Sequence, residues 1–210
     1  MAFGKHWEWR GFGILPAPLR AKVESLPRKF ANCQEVADEY LWMPGARVNL
    51  KLRLGDLKFK RLLESRGGLE CWMEDEAENI PFPLGREVAE KLARDLGVAL
   101  PPLERGGPFA REDLLSLLDR SQPPVRRLEV KKRRWQYEWR GVATQAPDSV
   151  PVTVELAEIL APERTCSIAL EHPDYEPVSK LRDALGLETA QRRRSYLEAL
   201  EVWARGGRVG

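Results

Sequence analysis

Apolar and polar residues alternate one for one through VNLKLRLGDLKFKRLL, residues 48–63. Val48, Leu50, Leu52 and Leu54 share one face, and Asn49, Lys51 and Arg53 share the other. Beyond a turn at Gly55-Asp56, Leu57, Phe59 and Arg61 alternate with Lys58, Lys60 and Leu62. A period of two marks a half-buried strand, so the stretch predicts a hairpin with four cations, Lys51, Arg53, Lys58 and Lys60, on a single face. Like charges opposed across a strand pair repel. Either this face is open to solvent, or something anionic lies against it.

The same period recurs along the chain. From Lys5 to Gly13, Trp7 and Trp9 alternate with His6, Glu8 and Arg10, so one set points inward and the other outward. Gln34 to Trp42, Leu69 to Met73, Pro151 to Ile159 and Thr165 to Glu171 also read as strands. From Val125 to Trp139, Leu128 and Val130 occupy one face and Arg127, Glu129, Lys131 and Arg133 the other. Trp135, Tyr137 and Trp139 keep the parity of the charged set, so a bulge or bend is expected near Arg134. The acidic run Asp75 to Ala77 is expected outside the core.

The period lengthens to about 3.6 between Gly85 and Gly97, where Val88, Leu92 and Leu96 line one helical face and Gly97 is placed to cap it. Shorter helices are expected over Pro18–Ser25, Arg111–Asp119 and Pro177–Leu185. The strand-rich halves flank a helical middle. This pattern predicts one α+β domain over 1–210, with a helical insertion at about 84–120 and a C-terminal helix at about 188–204. Its roughly eight strands form an antiparallel sheet that can close into a barrel.

Composition narrows the function. The chain of 210 residues carries 34 Lys and Arg against 32 Asp and Glu, a net charge of only +2, which excludes a uniformly basic nucleic-acid binder. Its three cysteines, Cys33, Cys71 and Cys166, have no metal-ligand spacing and are expected as reduced, mostly buried thiols. With no long apolar run, the expectation is a cytoplasmic protein with no membrane partner.

If the sheet closes, the alternating polar faces turn into one lumen: His6, Glu8, Arg10, Asn49, Lys51, Arg53, Lys58, Lys60, Arg127, Glu129, Lys131, Arg133, Glu155 and Glu171. Cations outnumber carboxylates in that set. It suits a polyanion held by Arg and Lys, together with a hard divalent cation held by the carboxylates.

Several of these segments resemble, in order, the motifs of the CYTH superfamily, the triphosphate tunnel metalloenzymes. HWEWR at 6–10 resembles the opening ExExK. Asp38 and Tyr40 ahead of VNLKLR resemble the DxYYD segment and the LRxR strand, and LKFKRLLE the next basic strand. VKKRR, VELAEI and SIALE resemble the KxR, ExDEx and ExE strands, and RRRSYLEAL the C-terminal helix. The resemblance implies an eight-stranded antiparallel tunnel that binds a triphosphate-containing small molecule or inorganic polyphosphate, and hydrolyses it with Mg²⁺ or Mn²⁺. By position, Arg10, Lys51, Arg53, Lys58, Lys60, Lys131 and Arg133 would hold phosphate oxygens, and Arg127, on the same face as Lys131, joins them. Glu8, Glu155 and Glu171 would bind metal or position the attacking water, with Glu8, Glu171 and His6 as the metal set. Four positions depart, three of them at acids: His6 stands for the first Glu of ExExK, Arg10 for its Lys, Ala157 for the Asp of ExDEx, and Ala169 for the first Glu of ExE. The expectation is therefore a polyphosphate-like anion bound in a cation-lined tunnel, with hydrolysis left open. The alternative is a degenerate, non-catalytic tunnel that binds a phosphorylated ligand or partner.

Overall fold

The computed structural model describes residues 4–74, 80–103, 107–141 and 150–210, so the acidic run at 75–77 lies outside the described residues. Its strands are β1 (Lys5–Phe12), β2 (Gln34–Trp42), β3 (Val48–Arg53), β4 (Asp56–Arg66), β5 (Leu69–Glu74), β6 (Arg126–Trp139), β7 (Val152–Ala161), β8 (Thr165–His172) and β9 (Arg192–Arg193). They run antiparallel in the order β5-β4-β3-β2-β6-β7-β8-β1, and β1 pairs back to β5. Eight strands therefore close into the expected barrel, and β9 adds a short edge beside β1. The helices are α1 (Ala17–Glu24), α2 (Arg86–Leu96), α3 (Arg111–Asp119), α4 (Tyr175–Leu185), α5 (Leu187–Ala190) and α6 (Tyr196–Ala204). None of the described helices is long and apolar enough to cross a membrane.

Closure sends alternate side chains of every strand inward. Outside, α2 and α3 cover Val48, Leu50, Leu52, Leu57 and Phe59. Residues of α1 and α4 pack with Trp7, Trp9, Tyr137, Val154, Leu156, Ile168 and Leu170, and Trp135 and Trp139 rest against that cluster. The four tryptophans thus serve as exterior core. A third cluster fills one end of the barrel itself: Phe12, Tyr40, Trp42, Val130, Ala157 and Ile159 from inward positions, with Tyr196, Ala199, Leu200 and Trp203 from α6. The helix is a plug.

Four local expectations change. The hairpin turn is Leu54-Gly55, with φ of 51° and 91°, and Arg53 pairs with Asp56. Positive φ at both central positions marks a type I′ loop, so Leu54 leaves the apolar face and is 98% exposed. Strand β6 has no slip near Arg134. It pairs with β2 without interruption from Gln34↔Arg134 to Trp42↔Arg126, and the one irregularity places an extra residue in β7 opposite Lys131 and Lys132. Its outward face simply passes from solvent, at Arg127 to Arg133, to the apolar cover over Trp135 to Trp139.

The C-terminal helix expected over 188–204 is broken. Gly186, at φ 66°, ends α4, and Arg192 and Arg193 then pair with Phe12 and Gly11. A Cβ at Gly11 would lie 2.8 Å from the Trp9 ring and 2.9 Å from Gln191 Cβ, so glycine is what admits this segment. Ser195 then starts α6 through a capping box: its Oγ accepts from Glu198 N at 3.2 Å, and its own N donates to Glu198 Oε2 at 2.6 Å. Of the three free thiols, only Cys71 is buried; Cys33 is exposed.

Trp203 is buried against Phe12 and Tyr196 and donates from Nε1 to Glu163 at 2.9 Å. Trp203→Ala is expected to cost about 3–5 kcal/mol in urea denaturation, as for large aromatic truncations in a packed core. A loss below about 1 kcal/mol would mean that α6 leans on the barrel and does not fill it.

Candidate functional site

Above the plug, the lumen opens into a chamber of about 410 Å³. From β1 come Glu8 and Arg10, from β3 Asn49, Lys51 and Arg53, and from β4 Lys58 and Lys60. Trp72 and Glu74 of β5, Lys132, Arg134 and Gln136 of β6, Glu155 of β7 and Glu171 of β8 complete the strand wall. The described lining holds seven cations and four carboxylates. Tyr40 and Tyr196 stack at 5.3 Å and form the floor where plug meets chamber. Arg10 and Lys132 lie over Tyr196 at 4.9 and 5.3 Å, and Lys51 over Tyr40 at 5.4 Å. Cation–π contacts of this kind fix the heads of long side chains in a desolvated site.

Of the residues singled out from the sequence, Glu8, Arg10, Lys51, Arg53, Lys58, Lys60, Glu155 and Glu171 line this chamber together. His6 shares their inward parity, pairs in register with Trp72 and keeps a buried Nε2 with no hydrogen-bond partner. Burial, with Lys60, holds its pKa below the ordinary value, so it is neutral at pH 7.

Arg127, Lys131 and Arg133 lie outside the lumen. They pair on the outer surface with Glu39 and Asp119, with Glu129, and with Glu35 respectively. Their places inside are taken by Lys132 and Arg134. Alternation places charge on the lumen side only where the other face is covered, and on this half of β6 the outer face is solvent. The signal that could have found the pair is the change from Leu128 and Val130 to Lys132 and Arg134 along one parity, an apolar floor followed by a charged wall.

Asp38 also belongs to the machinery. It is buried, accepts two hydrogen bonds from Arg53 at 2.5 and 2.6 Å, and lies 3.3 Å from Lys51. Burial alone would raise its pKa, but Arg53 and Lys51 outweigh it and hold the carboxyl below its usual range. Lys51 goes the other way: burial, with Arg53, Lys132 and Lys60 nearby, brings it down to about 7 against the pull of Asp38.

The sequence matches no protein-family profile and no curated protein. Solved structures similar in fold include a conserved hypothetical protein from Pyrococcus furiosus, with TM-score 0.48 and 19% identity over 92% of this chain and 98% of that one. Another is the PH1012 protein of Pyrococcus horikoshii OT3, with TM-score 0.49 and 22% identity over 91% and 98% of the two chains. The PH1819 protein of the same organism matches at TM-score 0.46 and 16% identity, over 93% and 98%.

The carboxylates do not fit a divalent-metal centre. Among the described residues no three His, Cys, Asp or Glu side chains gather as ligands, so Glu8, Glu171 and His6 do not form one donor set. Glu8 instead accepts from Arg10 Nε at 2.6 Å. Glu155 accepts from Lys132 at 2.9 Å and from Arg134 at 3.2 Å, and Glu74 pairs with Lys60. Burial would raise the pKa of Glu155, but Lys132, Arg10 and Arg134 together hold it far below the carboxylate range. Such a group is a poor general base, which argues against Glu155 as the activator of an attacking water.

These pairings set the pH dependence of stability. Asp38, Glu74, Glu155 and Glu171 all have folded pKa values below their ordinary ones, so they stabilise the fold above the unfolded carboxylate range and lose that contribution progressively as pH falls from that range through their lower folded values. Glu70, pushed up to about 7 by burial and Glu8, acts in the opposite sense between pH 4.5 and 7. The melting temperature is expected to drop steeply as pH is lowered below about 4.5, and Glu155→Ala, which takes from buried Lys132 the carboxylate it pairs with, should cost about 3–5 kcal/mol at pH 7. An acid limb as steep in Glu155→Ala as in the native chain would count against the assignment.

Proposed function

We propose that the chain is a CYTH-like tunnel protein whose chamber binds a triphosphate- or polyphosphate-like anion, and that it acts by binding, not by hydrolysis. The observation that carries this reading is the convergence of seven cations from β1, β3, β4 and β6 on one enclosed cavity. Its size suits a small ligand. Three lining residues, Arg10, Trp72 and Tyr196, each keep a buried polar atom with no hydrogen-bond partner, Nη1, Nε1 and Oη respectively, and a buried donor left without a partner is costly unless a ligand supplies one. Arg and Lys together offer both forked and point-charge contacts to phosphate oxygens. The engagement of every lining carboxylate by a lining cation favours the non-catalytic form of the reading.

Inorganic tripolyphosphate is expected to raise the melting temperature of the native protein. Lys58→Ala with Lys60→Ala should abolish that shift, while Lys131→Ala with Arg133→Ala, on the outer surface, should leave it intact. Equal loss in both pairs would sink the lumen assignment. Phosphate release from a panel of triphosphates, assayed by malachite green with Mg²⁺ and with Mn²⁺, is expected to stay at background. Turnover there would restore the hydrolase reading.

Lys51, poised near 7, should be driven to its charged form by a bound polyanion. Binding at pH 7.5 is therefore expected to take up protons, and the calorimetric enthalpy should change with the ionisation enthalpy of the buffer. A buffer-independent enthalpy, or one that signals proton release, would show that Lys51 does not contact the ligand.

A further inference from the structure

Three carboxylates from three strands converge on one cation that belongs to the chain. Arg10 Nε lies 2.6 Å from Glu8, its Nη1 3.6 Å from Glu155, and its Nη2 3.8 Å from Glu171. The register explains how this is reached. Glu8 and Glu171 are cross-strand partners, and both Arg10 and Glu155 pair with Ala169, whose methyl group leaves the guanidinium room to span from β1 to β7. Tyr196 lies under the guanidinium at 4.9 Å. We infer that the Arg10 guanidinium is the built-in counter-ion of this carboxylate cluster, so that the chamber takes its polyphosphate as the free anion, without a divalent metal.

The inference rests on the anion-binding reading and deepens it. A metal ion entering the cluster would have to displace Arg10, leaving a buried arginine without its partners, a state that costs far more than an ion pair returns. Arg10 lines the chamber at 7% exposed, and its Nη1 is buried without a hydrogen-bond partner, a cost that an anion oxygen reaching it would remove. Magnesium bound to a polyphosphate keeps several waters in an octahedral shell and neutralises part of the charge. A wall of lysine and arginine gains less from that complex than from the bare anion.

Titration calorimetry of the native protein with inorganic tripolyphosphate, in EDTA and then in saturating Mg²⁺, tests this. Binding is expected in EDTA, with the dissociation constant rising on the order of tenfold in Mg²⁺. Neither Mg²⁺ nor Mn²⁺ alone should shift the melting temperature. Binding only in the presence of metal would overturn the inference and leave the anion chamber standing; no binding under either condition would overturn both. Arg10→Gln is expected to lose binding in EDTA and to gain a melting shift with Mn²⁺ alone. Unchanged affinity in EDTA would overturn the role given to Arg10. Should that variant not fold, Arg10→Lys keeps the charge without the fork, and is expected to bind more weakly in EDTA with no response to Mn²⁺; a response would again count against the inference.

Discussion

A charge on the inner wall of a closed barrel has little contact with bulk water, so an inward-facing ionised group depends on a counter-ion held by another strand of the wall. Desolvation costs several kcal/mol per ion, and only close, well-oriented partners return it. This constraint orders the interior. Asp38 ties β2 to β3 through the forked contact with Arg53, while Glu155 ties β7 to β6 through Lys132 and Arg134. Each pair joins neighbouring strands, so the charge pattern fixes register as well as solvation. A one-residue slip of β6 would bring Lys131 and Arg133 inside and strand Glu155.

How far the sequence disclosed this arrangement depends on what covers each strand from outside. In β3 and β4, α2 and α3 bury one face, so the alternation of leucine with lysine reads directly as cover and lumen. In β1, Trp7 and Trp9 play the same part for His6, Glu8 and Arg10. Strand β6 breaks the rule because half of its outer face is solvent and half of its inner face is plug. Polar then means outside and apolar means inside, and the parity that holds for the other strands gives the wrong cations. No local pattern reveals the plug itself, since Tyr196 and Trp203 read equally well as an external stripe. That α6 enters the barrel follows from a break at Gln191 to Arg194, which pairing with Gly11 and Phe12 imposes and which helix propensity alone does not signal.

The two alanines that depart from the CYTH pattern have structural counterparts. Ala157 faces inward at the floor, in the cluster with Ile159, Tyr196 and Trp203, where a carboxylate would be buried in an apolar environment. Ala169 faces inward beside Arg10 and Glu155, where a longer side chain would fill the space the guanidinium crosses. Alanine at both positions and the plugged, arginine-centred lumen are therefore one feature. A carboxylate at either position alone would introduce a charge into space already taken.

The ion pairs of the wall divide by length, and the division bears on how an anion could enter a lumen that already holds carboxylates. Arg53 to Asp38, at 2.5 Å, and Lys132 to Glu155, at 2.9 Å, are close contacts that lock strand to strand. Arg10 holds Glu8 closely, at 2.6 Å, while its contacts to Glu155 and to Glu171, at 3.6 and 3.8 Å, are longer than hydrogen bonds. An entering polyanion would meet cations that already hold close partners, Arg53 and Lys51 on Asp38 and Lys60 on Glu74, so it would add to those pairs and not replace them. The carboxylates keep the partners that hold the barrel in register while the same cations line the chamber. Recognition and architecture would then share one set of charges, each cation bridging a wall carboxylate and the ligand.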